Sequence, residues 1–322
     1  MSNLAIKLLQ LYLPLVGGVF LGWLIGGVLP KDVPAALGKF LFWVGVPIGI
    51  VAFVRGADLS GSIWIAPLVA WAAMLLGAAI AIAFIVFDVY RVRRTSPTVV
   101  PPLARKPTQG SFLLASMVGN TGYLGFPVTL GIVGQQYFAW ALFYDLLGTL
   151  FGAYGLGVVI AARFGKNVRD RAHLARTMLT NPALWSFGLA LAFRDIPLPT
   201  FFELGLKTVA WMAIALSLVL IGMRLSHLSS WRGLPHVWIG LAIKMLVVPL
   251  ILGYSLQFLG LNGAPRLVIV LQMAMPPAFA TLILGEAFHL DRDLTVAALA
   301  IGSIGFLFML PLWLLLFGTA NG

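Results

Sequence analysis

The sequence has 322 residues, of which 61% are hydrophobic and 10% charged, and its mean hydropathy is +1.00. Soluble domains carry about a quarter of their residues as charges, so a soluble globular fold is excluded, and no polar stretch is long enough to form a separate soluble domain. The net charge of +11 needs no nucleic-acid partner, because basic residues gather in the loops on one side of a membrane protein, and the absence of cysteine excludes disulfides, thiol catalysis and Cys-ligated metals.

Apolar runs of roughly 20 residues, each able to cross a hydrocarbon core of about 30 Å, recur along the chain and predict an all-α polytopic membrane protein with ten transmembrane helices. The first span, 8–29, is too long for a leader core and lacks a strongly basic start, so it reads as retained. Its Gly18, Gly22 and Gly26 form a GxxxGxxxG stripe, a helix-packing signal within the fold or at a homodimer interface. Spans two and three follow at 38–55 and 63–87. Span four, 110–134, is interrupted by GNTGYLGFPV, which sets Asn120, Thr121, three glycines and Pro127 where continuous helix is expected. Span five, 138–162, carries Asp145, and a basic stretch at 163–181 follows it. Span six, 182–197, is short and ends at Pro197 and Pro199; span seven is 203–223. Span eight, 236–259, carries Lys244; span nine, 265–289, is interrupted at Met275-Pro276-Pro277; span ten is 294–317.

Ten spans put both termini on one face, and the positive-inside rule selects which. With both termini outside, fifteen basic residues fall at inner ends and loops and five at outer ones, with Lys244 left within a span. The expected location is the inner (cytoplasmic) membrane of a bacterium, multi-pass, with both ends outside.

The basic stretch divides the chain into residues 1–162 and 182–322, five spans each, joined by a cytoplasmic linker at 163–181. Halves with an odd number of spans insert upside down relative to one another. Three pairs of features recur in matching order: KDVP at 31–34 with RDIP at 194–197, the runs from Trp43 to Arg55 and from Trp211 to Arg224, and the breaks in spans four and nine. The expected architecture is therefore an inverted 5+5 repeat with broken, crossing helices four and nine.

Asn, Gly and Pro together strip backbone groups of helical partners, and in lipid an unpaired N–H or C=O costs several kcal/mol. Such a stretch survives where it is buried in protein or lines a wet cavity. Pro127 and Pro277 suit the first turn of a new half-helix, where a missing N–H costs nothing. Half-helix N-termini attract anions, and C-terminal carbonyls attract cations or proton donors. The candidate substrate-binding crossover is Asn120, Thr121, Gly122, Tyr123 and Pro127 from the first break, with Pro276, Pro277 and Thr281 from the second. Tyr144 and Gln272 are further polar groups in adjoining spans. Ionisable groups at membrane depth are rare and usually face the protein interior, so Asp145 and Lys244 are candidates for a coupling ion site or a charge pair. Glu286 falls near the inner end of span nine and reads as interfacial. His173, His227, His236 and His289 lie in loops or at span ends with no metal-ligand spacing, so no metal and no cofactor is expected.

GNTGYLGFPVTLGIVG resembles the fourth-span motif of the auxin efflux carrier family, within the broader bile-acid, arsenite and auxin transporter type of fold. MAMPPAFATLILGEAFHLDRDLTVAALAIGSIGFLFMLPLW resembles the last two spans of that family, and Asn181-Pro182 and IALSLVLIGMRL also fit. The resemblance covers nearly the whole chain. It implies a ten-span inverted repeat with crossed broken helices, a scaffold part and a moving part, and organic-anion substrates: auxin in plants, dicarboxylates such as malate or malonate in some bacterial members. By motif position it carries Asn120, Pro127 and Pro277 over as crossover residues. The second break departs from the family in having Ala278-Phe279-Ala280 before Thr281.

The function expected is that of a secondary transporter, a permease for small organic anions such as carboxylates, working by alternating access around a midplane site. Its partners are the lipid bilayer, the anion and, for coupling, H+ or Na+. The alternatives are a cation–proton exchanger of similar fold, which usually places carboxylates at the crossing where this chain has none, and a non-transporting membrane sensor. No GxxxxGK[ST] motif occurs, and no converging intramembrane His, Asp or Ser groups suggest an enzyme. The ten-span count makes a direct prediction: with no native cysteine to interfere, Thr319→Cys and Thr177→Cys label from opposite membrane faces with an impermeant thiol reagent, and labelling from one face refutes the count.

Overall fold

The computed structural model describes residues 3–30, 32–59, 61–95, 101–165, 176, 179–226 and 234–318. Most of the expected basic linker lies outside the described residues, as do Lys31, His173, Thr177, His227, Arg232 and Thr319. The secondary structure of the described residues is helical, apart from one isolated bridge. Its six helical stretches long and apolar enough to cross a membrane are Asp32–Val54, Ile65–Thr95, Gln135–Phe164, Thr200–Ser226, Pro235–Leu259 and Arg292–Phe317. Shorter apolar helices occupy Val16–Val28, Pro182–Ala192 and Gly263–Ala274. Leu68, Phe202, Phe258 and Phe308 are among many large apolar side chains left exposed, as a lipid-facing surface requires.

The two expected interruptions are present. Span four divides into the half-helices Lys106–Met117 and Gly125–Ile132, and span nine into Gly263–Ala274 and Phe279–Ala287. The short sixth helix ends at Ala192, ahead of Pro197 and Pro199. It starts cleanly, because the Asn181 side chain accepts from the Ala183 N–H at 2.9 Å while Pro182 fills the first helical position.

The chain forms two compact units, each drawing on both halves of the sequence. One comprises Met1–Ile63, Gly122–Leu142 and Leu179–Ser229. Its main packing is between the first helix, Asn3–Val28, and Thr200–Ser226. The glycine stripe lies in that contact. A Cβ at Gly22 would run into the Val219 carbonyl, and one at Gly26 would lie 2.6 Å from the Met223 Cα. From the opposite side, a Cβ at Gly222 would strike the Val19 carbonyl and lie 2.6 Å from the Trp23 nitrogen. The stripe therefore serves close backbone approach within the chain, since only glycine lets the two helices come this near. In the same unit Arg55 donates to the carbonyls of Phe193, at 2.9 Å, and Ile196, at 2.6 Å, and pairs with Glu203 at 3.3 Å. It thus satisfies carbonyls freed where the sixth helix ends.

The other unit comprises Trp64–Thr121, Phe143–Met178 and Ser230–Gly322. Ile65–Thr95 packs on Lys106–Met117 and on the chain around Gly148. Gly77 abuts the Ser116 carbonyl, and Gly148 abuts Ala70. Asp291 ties the first half-helix to the last span: its carboxylate accepts from Thr108 at 2.8 Å, and its carbonyl from Ser111 at 2.8 Å. The same carboxylate caps Arg292–Phe317 by accepting from the Leu294 N–H at 3.1 Å.

The contrast among glycines is testable. Gly22→Ala and Gly222→Ala each force backbone apart and are expected to destabilise the protein by about 1–3 kcal/mol. Gly17→Ala, whose Cβ would meet nothing within 4 Å, is expected to be neutral. Thermal unfolding in detergent decides, and equal midpoints for all three would refute this packing.

Candidate functional site

Residues 118–124 and 275–278 leave the helical path, so their backbone groups need partners from elsewhere. They find them in each other. The Asn120 N–H donates to the Pro276 carbonyl at 2.7 Å, and the Ala278 N–H donates to the Val118 carbonyl at 3.0 Å, which makes Gly119 and Pro277 an isolated antiparallel bridge. Two strand-like residues from different spans thus replace the helical bonds both spans have given up. Pro277 fits this bridge because it lacks an N–H and here needs none. Its expected position is corrected: it lies two residues ahead of Phe279, outside the half-helix, with Ala278 as the N-cap. Pro127 is the third residue of Gly125–Ile132, within the first turn as expected.

Each intramembrane charge attaches to one break. Asp145, half-buried, accepts a hydrogen bond from the hydroxyl of Thr121. Lys244, 4% exposed, donates from Nζ to the carbonyl of Met273 in the last turn of Gly263–Ala274. A cation is favoured there, because the final carbonyls of a helix have no intrahelical donor and carry its negative dipole end. The ammonium also lies close to the first break: a Cβ at Gly119 would sit 3.0 Å from Lys244 Nζ. Among the described residues no ion pair joins Asp145 to Lys244.

Both charged residues sit on π turns, Asp145 in Tyr144–Leu150 and Lys244 in Ile243–Val247. Such widened turns occur often at functional positions. The second has a visible cause. Pro249 cannot donate to the carbonyl of Met245, four residues back, and its ring crowds that carbonyl, so the helix opens by one residue. Pro47 follows the π turn Leu41–Gly45 with the same spacing. Those internal prolines were the available sequence signal for features that periodicity alone misses.

Asn120 is 4% exposed, and its side-chain Nδ2 is buried with no hydrogen-bond acceptor among the described residues. A buried unsatisfied donor costs about 1–3 kcal/mol, so this amide is a standing attraction for an acceptor. Gln272 is fully buried in the adjoining half-helix. Thr281 is buried too, but its hydroxyl donates to the Ala278 carbonyl at 2.7 Å and stabilises the start of its own half-helix. Glu286 is exposed and pairs with Arg292 at 3.0 Å.

The unit boundary falls between Thr121 and Gly122. Asn120, Thr121, Asp145, Lys244, Pro276, Pro277 and Thr281 therefore belong to one unit, and Gly122, Tyr123 and Pro127 to the other. In the latter, Gly122, Tyr123 and Pro127 line a small, mostly apolar cavity with Phe53, Phe138 and Ser217. The Ser217 hydroxyl lies 3.3 Å from the Tyr123 carbonyl and 2.7 Å from the Ile214 carbonyl of its own helix.

Residues 4–314 match the family model described as membrane transport protein. A protein of Methanothermobacter thermautotrophicus described as an uncharacterized transporter is 28% identical over 305 residues, 92% of this chain and 93% of that one. A protein of Methanocaldococcus jannaschii with the same description is 30% identical over 209 residues, 63% of this chain and 67% of the relative.

The bond between Thr121 and Asp145 has a clean test. A hydrogen bond to a charged acceptor contributes about 1.5–3 kcal/mol. A double-mutant cycle of Thr121→Val and Asp145→Ala, read by unfolding in detergent, is expected to show coupling of at least about 1 kcal/mol, with Thr121→Ser close to wild type. Strict additivity would show that the two groups do not interact.

Proposed function

This chain belongs to the membrane transport protein family, the auxin efflux carriers, and from that premise we propose that it is a secondary transporter of small organic anions, carboxylates foremost. It is an integral, multi-pass membrane protein. The proposed topology is ten crossings arranged as an inverted 5+5 repeat, with both termini outside the cytoplasmic membrane. The proposed mechanism is alternating access, with solute held at the crossover of the two broken spans.

The observation that carries the proposal is the cross-paired break with the unsatisfied Asn120 amide beside it. The backbone bridge holds two interrupted helices in one geometry and leaves half-helix ends and a buried amide donor available. The N-terminus of Phe279–Ala287 carries partial positive charge. Lys244 supplies a buried amine within the same unit. An amide donor, a dipole end and that amine together favour a carboxylate. Neither 118–124 nor 275–278 contains Asp or Glu, and the carboxylate that reaches the first break, Asp145, is taken up by the Thr121 hydroxyl, which disfavours a site built to hold a bare metal cation.

Lys244 bears on coupling. Where a transporter uses helix-end carbonyls to hold Na+, this chain presents an ammonium to the Met273 carbonyl. Transport without sodium follows, with Asp145 as the group through which a proton would act.

The test is uptake of a panel of radiolabelled carboxylates into liposomes, with pH and sodium gradients imposed separately. Uptake of at least one carboxylate is expected, undiminished without sodium. Asn120→Ala and Lys244→Met are each expected to reduce it about ten-fold or more, the kinetic equivalent of about 1.4 kcal/mol, while monodispersity and unfolding midpoint confirm folding. Wild-type uptake rates in both folded variants would remove the site from the crossover, and no uptake of any carboxylate would remove the substrate class.

A further inference from the structure

We propose that the basic end of the helix Ile65–Thr95 is a binding site for an anionic phospholipid, a site apart from the crossover and independent of the transported solute. The helix has 31 residues, or about 46 Å at 1.5 Å per residue, against a hydrocarbon core of about 30 Å. Its last two turns therefore project into the headgroup layer.

A groove of about 630 Å³ runs along this end, lined by Ile85, Val86, Val89, Tyr90, Arg93 and Arg94 and closed by Gln109 of the half-helix Lys106–Met117. The lining falls on two ridges at helical spacing, Ile85–Val89–Arg93 and Val86–Tyr90–Arg94, each four residues apart per step. Both ridges begin apolar and end in arginine. Over about 12 Å of helix the surface changes from aliphatic, through a tyrosine, to two guanidinium groups. On the outer ridge Val86 is 64% exposed and Tyr90 63% exposed, while on the inner ridge Ile85 is buried and Val89 half-buried, so the open apolar surface is that of Val86 and Tyr90. The Arg94 Nη1 lies 3.5 Å from the Tyr90 hydroxyl, and both residues line the groove.

The gradient matches an amphiphile aligned with the membrane normal, acyl chain against the aliphatic end and phosphate against the arginines. Arginine suits that phosphate because its planar fork can make paired hydrogen bonds. The charge balance is one-sided. No acidic residue lines the groove, and the neighbouring Asp88 is turned to His236, at 3.4 Å. Basic pockets of this kind on membrane proteins recruit anionic headgroups in preference to zwitterionic ones. Solvated arginines alone would need no apolar ridge leading into them. The ridge makes this a site for a whole lipid.

The experiment is native mass spectrometry of the full chain in mild detergent, titrated with phosphatidylglycerol and, separately, phosphatidylcholine. Retained phosphatidylglycerol adducts are expected, with phosphatidylcholine retained at least about five-fold less. Arg93→Gln/Arg94→Gln is expected to weaken phosphatidylglycerol binding about ten-fold, and Arg91→Gln, outside the lining, to leave it unchanged. Val86→Trp keeps both arginines and fills the aliphatic end, so it is also expected to weaken binding; it decides the matter if the double variant fails to fold. Equal retention of the two lipids, or wild-type binding by Val86→Trp, overturns the proposal. So does full displacement of phosphatidylglycerol by equimolar inorganic phosphate, since that outcome would mark a site for free anion.

Discussion

A backbone N–H or C=O without a partner costs several kcal/mol in a hydrocarbon layer, and the architecture around 118–124 and 275–278 answers to that cost. Two helices that each stop short would leave several such groups apiece. By pairing Asn120 with Pro276 and Val118 with Ala278, each break supplies the bonds that the other has lost. The recurrence of a break in both halves of the chain thus has a structural use before it has a functional one.

The charged groups obey the same economy. Lys244 is almost fully buried, a costly place for an ammonium, and its position against the Met273 carbonyl offsets part of that cost with the negative end of a half-helix. Asp145 takes the Thr121 hydroxyl from the other break. Each charge is thus held by one broken span, Lys244 by a helix-end carbonyl and Asp145 by a side-chain hydroxyl, so a change in either break is felt by a charge. Asn120 differs, because its backbone is spent on the bridge while its side-chain amide donor is left over.

Helix association elsewhere rests on dispersion and close approach, because lipid removes the hydrophobic drive between helices. The glycines show this most directly. Gly22 and Gly222 sit against backbone atoms, Gly148 against a side chain, and Gly17 against nothing. Glycine content alone does not separate these cases; what separates them is which face each glycine turns to its neighbour.

The membrane class, the positions of both breaks, the two intramembrane charges and the family resemblance were legible in the sequence, because each depends on local chemistry: apolar run length, residues that cannot continue a helix, and ionisable groups among apolar ones. Most span ends fell within about five residues of the helix ends, but the second helix starts earlier, at Asp32, and the third runs on to Thr95. Ten crossings in an inverted repeat were inferred from paired motifs, and the described helices by themselves supply six long enough to cross, with shorter apolar helices besides. What waited for tertiary structure were facts about partners far apart in the chain. That Gly119 faces Pro277, that Pro277 lies ahead of its half-helix, that Lys244 turns to Met273 and Asp145 to Thr121, and that the glycine stripe meets Thr200–Ser226 all depend on which segments pack together. Residue type states that a freed backbone group must be satisfied; only the packed chain decides which group satisfies it.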